Sequence, residues 1–194
     1  MAQNANQSVI PDVASERLQR IVIVGASGSG KTTLARQLAQ HLALPHVEMD
    51  ALYWDTGWTV APLHIFRERV TQALSVDGWV ADGNYSSVRD LTWTRADTVV
   101  WLDYPLWFVL LRLLHRGIVR SLSREELWNG NREGIYRSLL ARDSLVAFTL
   151  TTFLKKRRRY LSAQHDPAYA HLEIIHLRSP RAVRSWLDGL LTSK

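Results

Sequence analysis

The sequence predicts an α/β fold, a doubly wound parallel sheet of about five strands flanked by helices. Three observations carry this expectation. Short apolar, β-branched runs recur along the chain, most of them stopped by a glycine or an aspartate. Between them lie segments whose apolar residues repeat at helical spacing. The first such run leads straight into a glycine-rich loop that opens a helix, the strand–loop–helix unit of a parallel sheet.

Taken in order, Ile21–Val24 ends at Gly25 as a buried parallel strand does. Leu34, Leu38 and Leu42 follow on one helix face, and Pro45 closes that helix. His46–Met49 reads as a second strand, which places Asp50 at its end, beside the glycine-rich loop. Ala51–Ala61 is rich in aromatic and turn residues and reads as a loop or small excursion. Pro62 starts a helix carrying Phe66, Val70 and Leu74. Gly78–Asp82 is a third strand, stopped by Gly83 and Asn84, and Thr98–Leu102 a fourth, stopped by Asp103, Tyr104 and Pro105. A long helix runs from about Leu106 to Arg120; the polar stretch 121–134 interrupts it, and a second long helix reaches about Tyr160. Glu173–Leu177 is the last strand, and Ser179-Pro180 opens the closing helix. Residues 1–17 read as a flexible tail and 18–194 as one domain.

Composition narrows the function classes. Of 194 residues, 46% are hydrophobic and 22% charged, the balance of an ordinary globular domain. There is no cysteine, which removes disulfides, thiolate metal sites and cysteine nucleophiles. The apolar runs Leu106–Leu111 and Leu145–Leu154 are far short of the roughly 20 residues that span a bilayer. A cytoplasmic protein without membrane contact is expected. The net charge of +6 suits a polyanion, either a phosphate-bearing small molecule or nucleic acid.

The pattern G-x-x-x-x-G-K-[ST] stands at Gly25, Gly30, Lys31 and Thr32. Chance alone would produce it in a chain of this length less than about once in a hundred. Glycines let backbone N–H groups face phosphate oxygens, and the helix N-terminus adds its positive dipole end. The expected phosphate cradle is Gly25, Ser27, Gly28, Ser29, Gly30, Lys31, Thr32 and Thr33. Lys31 reaches the β- and γ-phosphates of ATP, and the Thr32 hydroxyl binds Mg2+.

Ligands of such a sheet sit beyond the C-terminal strand ends, where Asp50, Asp82 and Asp103 fall. Asp82 is expected to join Thr32 at the metal; the alternative is a turn aspartate bonding its own backbone. Asp103 either serves the site or caps the helix after Pro105. Asp50 either accepts a proton from an attacking hydroxyl and holds an acceptor, or caps the next segment. Tyr53 and Trp54 follow it, where an acceptor pocket would lie, and their faces either stack on a ligand or pack the core. Trp79, Trp101 and Trp107 are assigned to the core, and the seven histidines to structural or exposed positions. Arg112 and Arg116 share a helix face, and Arg132 lies past the polar interruption; all three suit charge developing on a transferred phosphoryl group. Lys155–Arg159 point all round a helix and read as solvated.

Gly25–Thr32, Met49–Trp54, Asp82–Tyr85, Leu102–Pro105 and Arg124–Glu133 together resemble the DNA topology modulation protein family, which belongs to the adenylate kinase-like P-loop kinases. The resemblance implies a P-loop NTPase fold with a helical lid segment at about 121–134. It implies that Asp82 and Gly83 match the Asp-Gly after the third strand of adenylate kinases. Arg112 and Arg116 match two phosphate-contacting arginines, and Arg178–Pro180 a backbone stretch that packs on adenine. Asn84, Tyr85 and Ser86, with Arg89 further on, replace the Phe-Pro-x-Arg of true adenylate kinases. The acceptor pocket is then rebuilt around Asp50, Tyr53, Trp54, Gly83, Asn84 and Tyr85. The expectation is a kinase moving the γ-phosphoryl group of ATP to a small acceptor. Two alternatives are a nucleotide-dependent or DNA-associated regulator and an acceptor-independent ATPase. No DNA-reading motif supports the former.

Overall fold

The computed structural model describes residues 18–123, 128–130 and 145–192. The expected tail, 1–17, and most of the lid segment, Arg132 included, lie outside them.

Five strands form one parallel sheet: β1 (Arg20–Gly25), β2 (His46–Glu48), β5 (Trp79–Asp82), β6 (Thr98–Leu102) and β7 (Glu173–Leu177). Their spatial order is β2-β5-β1-β6-β7. Along β1 the side chains alternate between faces, as a pleated strand requires. Ile21 and Ile23 pack with Leu34, Ala35 and Leu38 of α1 (Lys31–Leu42). Val22 and Val24 pack on the other face with Trp79, Trp93 and Trp101. Both faces are therefore dry, and each fully buried Leu or Ile contributes about 1.5–3 kcal/mol.

One expectation about the sheet needed correction. β2 does not adjoin β1: β5 lies between them, pairing Ile23 with Asp82 and Glu48 with Asp82. It is thus Asp82, not Asp50, that ends the strand beside the glycine-rich loop. The stretch 51–61 takes the second of its two readings, a small excursion. Met49–Tyr53 is a short helix, α2, followed by a two-stranded hairpin of β3 (Trp54–Asp55) and β4 (Thr59–Val60). Then α3 (Leu63–Ala73) buries Phe66 and Val70, α4 (Arg89–Thr92) follows β5, and α5 (Leu106–Ser123) follows β6. α6 (Leu145–Ala163) packs along α5, and α7 (Pro180–Thr192) closes the chain. Trp79 and Trp101 are buried as expected, but Trp107 is 64% exposed. α5 turns Val109 and Leu113 inward, and Trp107 stands two residues off that face.

Candidate active site

The loop between β1 and α1 starts at Gly25, whose φ is 151°. A Cβ there would stand 2.7 Å from the Leu102 carbonyl oxygen, so only glycine fits. The same residue is gripped from outside. Asn84 accepts the Gly25 N–H at 3.1 Å and donates back to the Gly25 carbonyl, while the Tyr160 hydroxyl donates to Asn84 at 2.9 Å. One amide side chain thereby ties the loop, the end of β5 and α6 together. Asn84, expected in the acceptor pocket, braces the phosphate loop and also lines a cavity with Met49, Gly83 and Tyr85.

Lys31 is half-buried and donates to the Ala26 carbonyl at 3.2 Å. Burial holds its pKa below the ordinary lysine value, while Asp50 and Asp82 pull it back up. Arg116 acts on the same ammonium, and the guanidinium of Arg112 lies about 3.2 Å from where a Cβ on Gly30 would stand. Both arginines therefore gather at the loop. Thr33 is exposed, as is Arg178 at the end of β7, whereas Ser27 lines the cleft. Ser29 is buried, with its Oγ bonded to no polar group among the described residues.

The Thr32 hydroxyl donates to Asp82 Oδ2 at 2.6 Å, and the other oxygen of Asp82 meets His46 Nε2 at 3.0 Å. A hydroxyl and a carboxylate in contact at the mouth of a phosphate loop are hard oxygen donors, the set that suits Mg2+. His46, Glu48 and Asp82 also bring ligand atoms within 4.8 Å of one another. Two histidines are structural in this way: His46 holds Asp82, and His176 holds Asp103 at 2.9 Å.

Asp103 does not act as a helix cap among the described residues. Its carboxylate is taken by His176 and by Arg157, at 3.0 and 3.1 Å. His176 lies flat on Trp101 at 4.1 Å. The basic run behaves differently from expectation as well. Lys155, Arg158 and Arg159 are exposed, but Lys156 and Arg157 line a cleft with Ala26, Ser27, Thr149 and Tyr160. Burial, with Lys31 close by, pushes the Lys156 ammonium down to about 8. Its ring contact is Phe148, at 4.4 Å. The helical spacing of Thr149, Phe153, Lys156 and Tyr160 was the available signal that these cations face inward.

Across the loop from α6, the Tyr85 hydroxyl donates to Asp50 Oδ1 at 2.5 Å. Burial raises the Asp50 pKa; the Tyr85 bond and Lys31 oppose that shift. Tyr53 packs edge-on to Trp54 and Phe66 and tilts against Tyr85, so it belongs to the core as much as to the pocket. Trp54 is half-buried between Tyr53 and Trp58. Asn129, in the short turn Trp128–Gly130, donates to the Trp54 carbonyl at 2.5 Å, so part of the lid segment touches the hairpin. Gly83 lets the chain pass Met49, where a Cβ would stand 2.7 Å from the Met49 Cβ.

No protein-family model matches the chain. It is 29% identical over 150 residues to adenylate kinase 1 of Nostoc sp., covering 62% of this chain and 80% of that one. It is 33% identical over 107 residues to the shikimate kinase of Synechococcus elongatus, covering 48% and 56%. Among solved structures, a gluconokinase from Sinorhizobium meliloti superposes with a TM-score of 0.51 at 20% identity, over 91% of this chain and 93% of that one. The shikimate kinase of Bacteroides thetaiotaomicron gives 0.50 at 18%, over 90% and 98%. These similarities support a P-loop kinase of the adenylate kinase-like type. The narrower resemblance to DNA topology modulation proteins has no support in them and rests on the sequence segments alone. No helix among the described residues is long and apolar enough to cross a membrane.

Proposed function

We propose that the chain is an ATP-dependent small-molecule kinase that moves the γ-phosphoryl group of ATP to an acceptor held by Asp50. The observation that carries this reading is the pair of anchored carboxylates at the phosphate loop: Asp82, bonded to Thr32, and Asp50, bonded to Tyr85, both act on the Lys31 ammonium. A phosphate loop alone binds nucleotide; a second carboxylate, braced by its own tyrosine, gives the far side of the transferred group something to do.

The loop backbone and Lys31 take the triphosphate. Arg112 and Arg116 approach it from α5, and Lys156 from α6, where they would offset charge gathering on the phosphoryl oxygens; each such contact is worth about 10²–10³ in rate. Thr32 and Asp82 would hold Mg2+, which screens the phosphates when bound. Arg132, outside the described residues, keeps its proposed place in the lid, and Arg178 its place beside adenine. A cytoplasmic setting, where ATP is supplied, fits this reading.

A nucleotide-gated regulator on nucleic acid would draw on the basic run 155–159, but Lys156 and Arg157 of that run turn into the cleft. An acceptor-independent ATPase leaves the Asp50–Tyr85 pair without a task. The test is ADP formation from Mg-ATP across an acceptor panel, with Lys31→Ala as the blank. Acceptor-dependent turnover that vanishes in the blank supports the kinase. Tight ATP binding without acceptor-dependent turnover would sink it.

A further inference from the structure

The charge on the acceptor side decides what kind of molecule can enter. A phosphorylated acceptor is a dianion at neutral pH and needs cations that are free to meet it. The sequence offers four arginines there: Arg36, Arg67, Arg69 and Arg89. Three of them are engaged with carboxylates. Arg36 pairs with Glu48 at 2.9 Å. Arg67 grips both oxygens of Asp90, at 2.9 and 2.5 Å, and also the Ser87 carbonyl. Arg69 is held by Asp55 at 2.9 Å and by the Leu52 carbonyl at 3.0 Å. Arg89 lies on the Trp93 ring at 4.6 Å, with Tyr160 at 5.8 Å.

Against these four arginines stand the four carboxylates Glu48, Asp50, Asp55 and Asp90, so the described arginines around the acceptor do not outnumber the carboxylates. The two lysines that act on Asp50, Lys31 and Lys156, lie at the phosphate loop and its cleft. Asp50 is half-buried, and its described hydrogen bond comes from a neutral phenol. A phosphate dianion brought beside it would meet repulsion at low dielectric, which costs far more than in water. A hydroxyl brought there would donate a hydrogen bond to the carboxylate. The aromatic wall agrees: Tyr53 is enclosed by Trp54, Phe66 and Tyr85 rather than opened as a platform for a base.

We infer that the acceptor is a phosphate-free molecule that reacts through an alcohol hydroxyl, with Asp50 as the general base. This rests on the kinase reading above. In the reaction the hydroxyl oxygen forms a bond to the γ-phosphorus as the bond from that phosphorus to the β,γ-bridging oxygen breaks. ADP leaves with the electron pair, and the hydroxyl proton passes to the Asp50 carboxylate. The product is a phosphate monoester, not a phosphoanhydride.

The experiment uses the full chain with Mg-ATP and two acceptor sets. One holds nucleoside monophosphates; the other holds nucleosides, polyols, sugars and hydroxy acids. Phosphorus NMR distinguishes the monoester from the anhydride. Monoester formed from a phosphate-free alcohol is expected, with Asp50→Asn lowering kcat about 100-fold or more while KM for ATP stays within about twofold. Tyr85→Phe gives a second readout: without the bond that favours the ionised carboxylate, the acid limb of the pH–rate profile moves to higher pH. An anhydride formed from a nucleoside monophosphate overturns the inference and leaves the kinase standing. Mg-ATP binding with no transfer to either set overturns both.

Discussion

Replacing Asn84 by alanine removes three hydrogen bonds at the base of the phosphate loop: two to the Gly25 peptide and one from Tyr160. A typical hydrogen bond contributes about 0.5–1.5 kcal/mol net, so the set amounts to about 2–4 kcal/mol. The upper half of that range is expected, because Tyr160 is buried and its hydroxyl would lose this partner. For a chain of this size that corresponds to a fall in Tm of roughly 5–12 °C. Part of the loss falls on the loop's organisation. If about 1–2 kcal/mol of it must be restored on binding, Mg-ATP affinity drops about 5- to 30-fold. Thermal melting and an ATP titration measure the two effects separately. Tyr160→Phe removes one of the three contacts and should cost about 1 kcal/mol, and the double variant should show coupling rather than additivity. An Asn84→Ala protein that melts within about 1 °C of the parent and binds ATP within twofold would refute the bracing role.

Three further outcomes are expected. Gly83→Ala places a Cβ 2.7 Å from Met49 at a φ of 150° and should destabilise by about 1–3 kcal/mol, whereas Gly189→Ala, in open space on α7, should not destabilise; chemical denaturation compares them. Thr32→Val should raise the Mg2+ concentration for half-maximal ATP binding by about tenfold or more, with the fold intact by circular dichroism. Lys156 has a depressed pKa, about 8 against an ordinary 10.5, so the folded apo protein binds fewer protons than the unfolded chain between those values. Stability should therefore rise with pH across that window, and triphosphate binding, which favours the charged amine, should take up a proton above pH 8. Calorimetry in buffers of different ionisation enthalpy reads that uptake, and Lys156→Met should reduce it, leaving the share that belongs to Lys31.

Local patterns made much of this molecule legible in the sequence. The five strands, the helix face of Leu34 and Leu38, and the loop from Gly25 to Thr32 all follow from short-range rules: period two, period 3.6, and glycine where a side chain collides. Pairing Thr32 with Asp82 was also within reach, because both sit at the ends of elements whose roles the motif defines. The order of the strands was not. Nothing local says that β5 slips between β1 and β2, and so the sequence misassigned Asp50 to the strand beside the loop. Long-range pairing depends on which faces bury together, a property of the whole chain.

The same limit explains the residues that were missed. A run of five cations looks solvated in sequence, since its neighbours are charged; only the packing of α6 along α5 turns Lys156 and Arg157 into the cleft. His46 and His176 show no metal spacing, yet parallel pairing carries each to a strand-end aspartate. Asn84 reads as one more turn residue until Gly25, 59 positions earlier, is seen in its grip. The sequence by itself determined the fold class and the nucleotide loop, because those are written in contiguous residues. The tertiary structure decided which charges face that loop and which arginines are already engaged, because electrostatic partnership depends on distance in space and not along the chain.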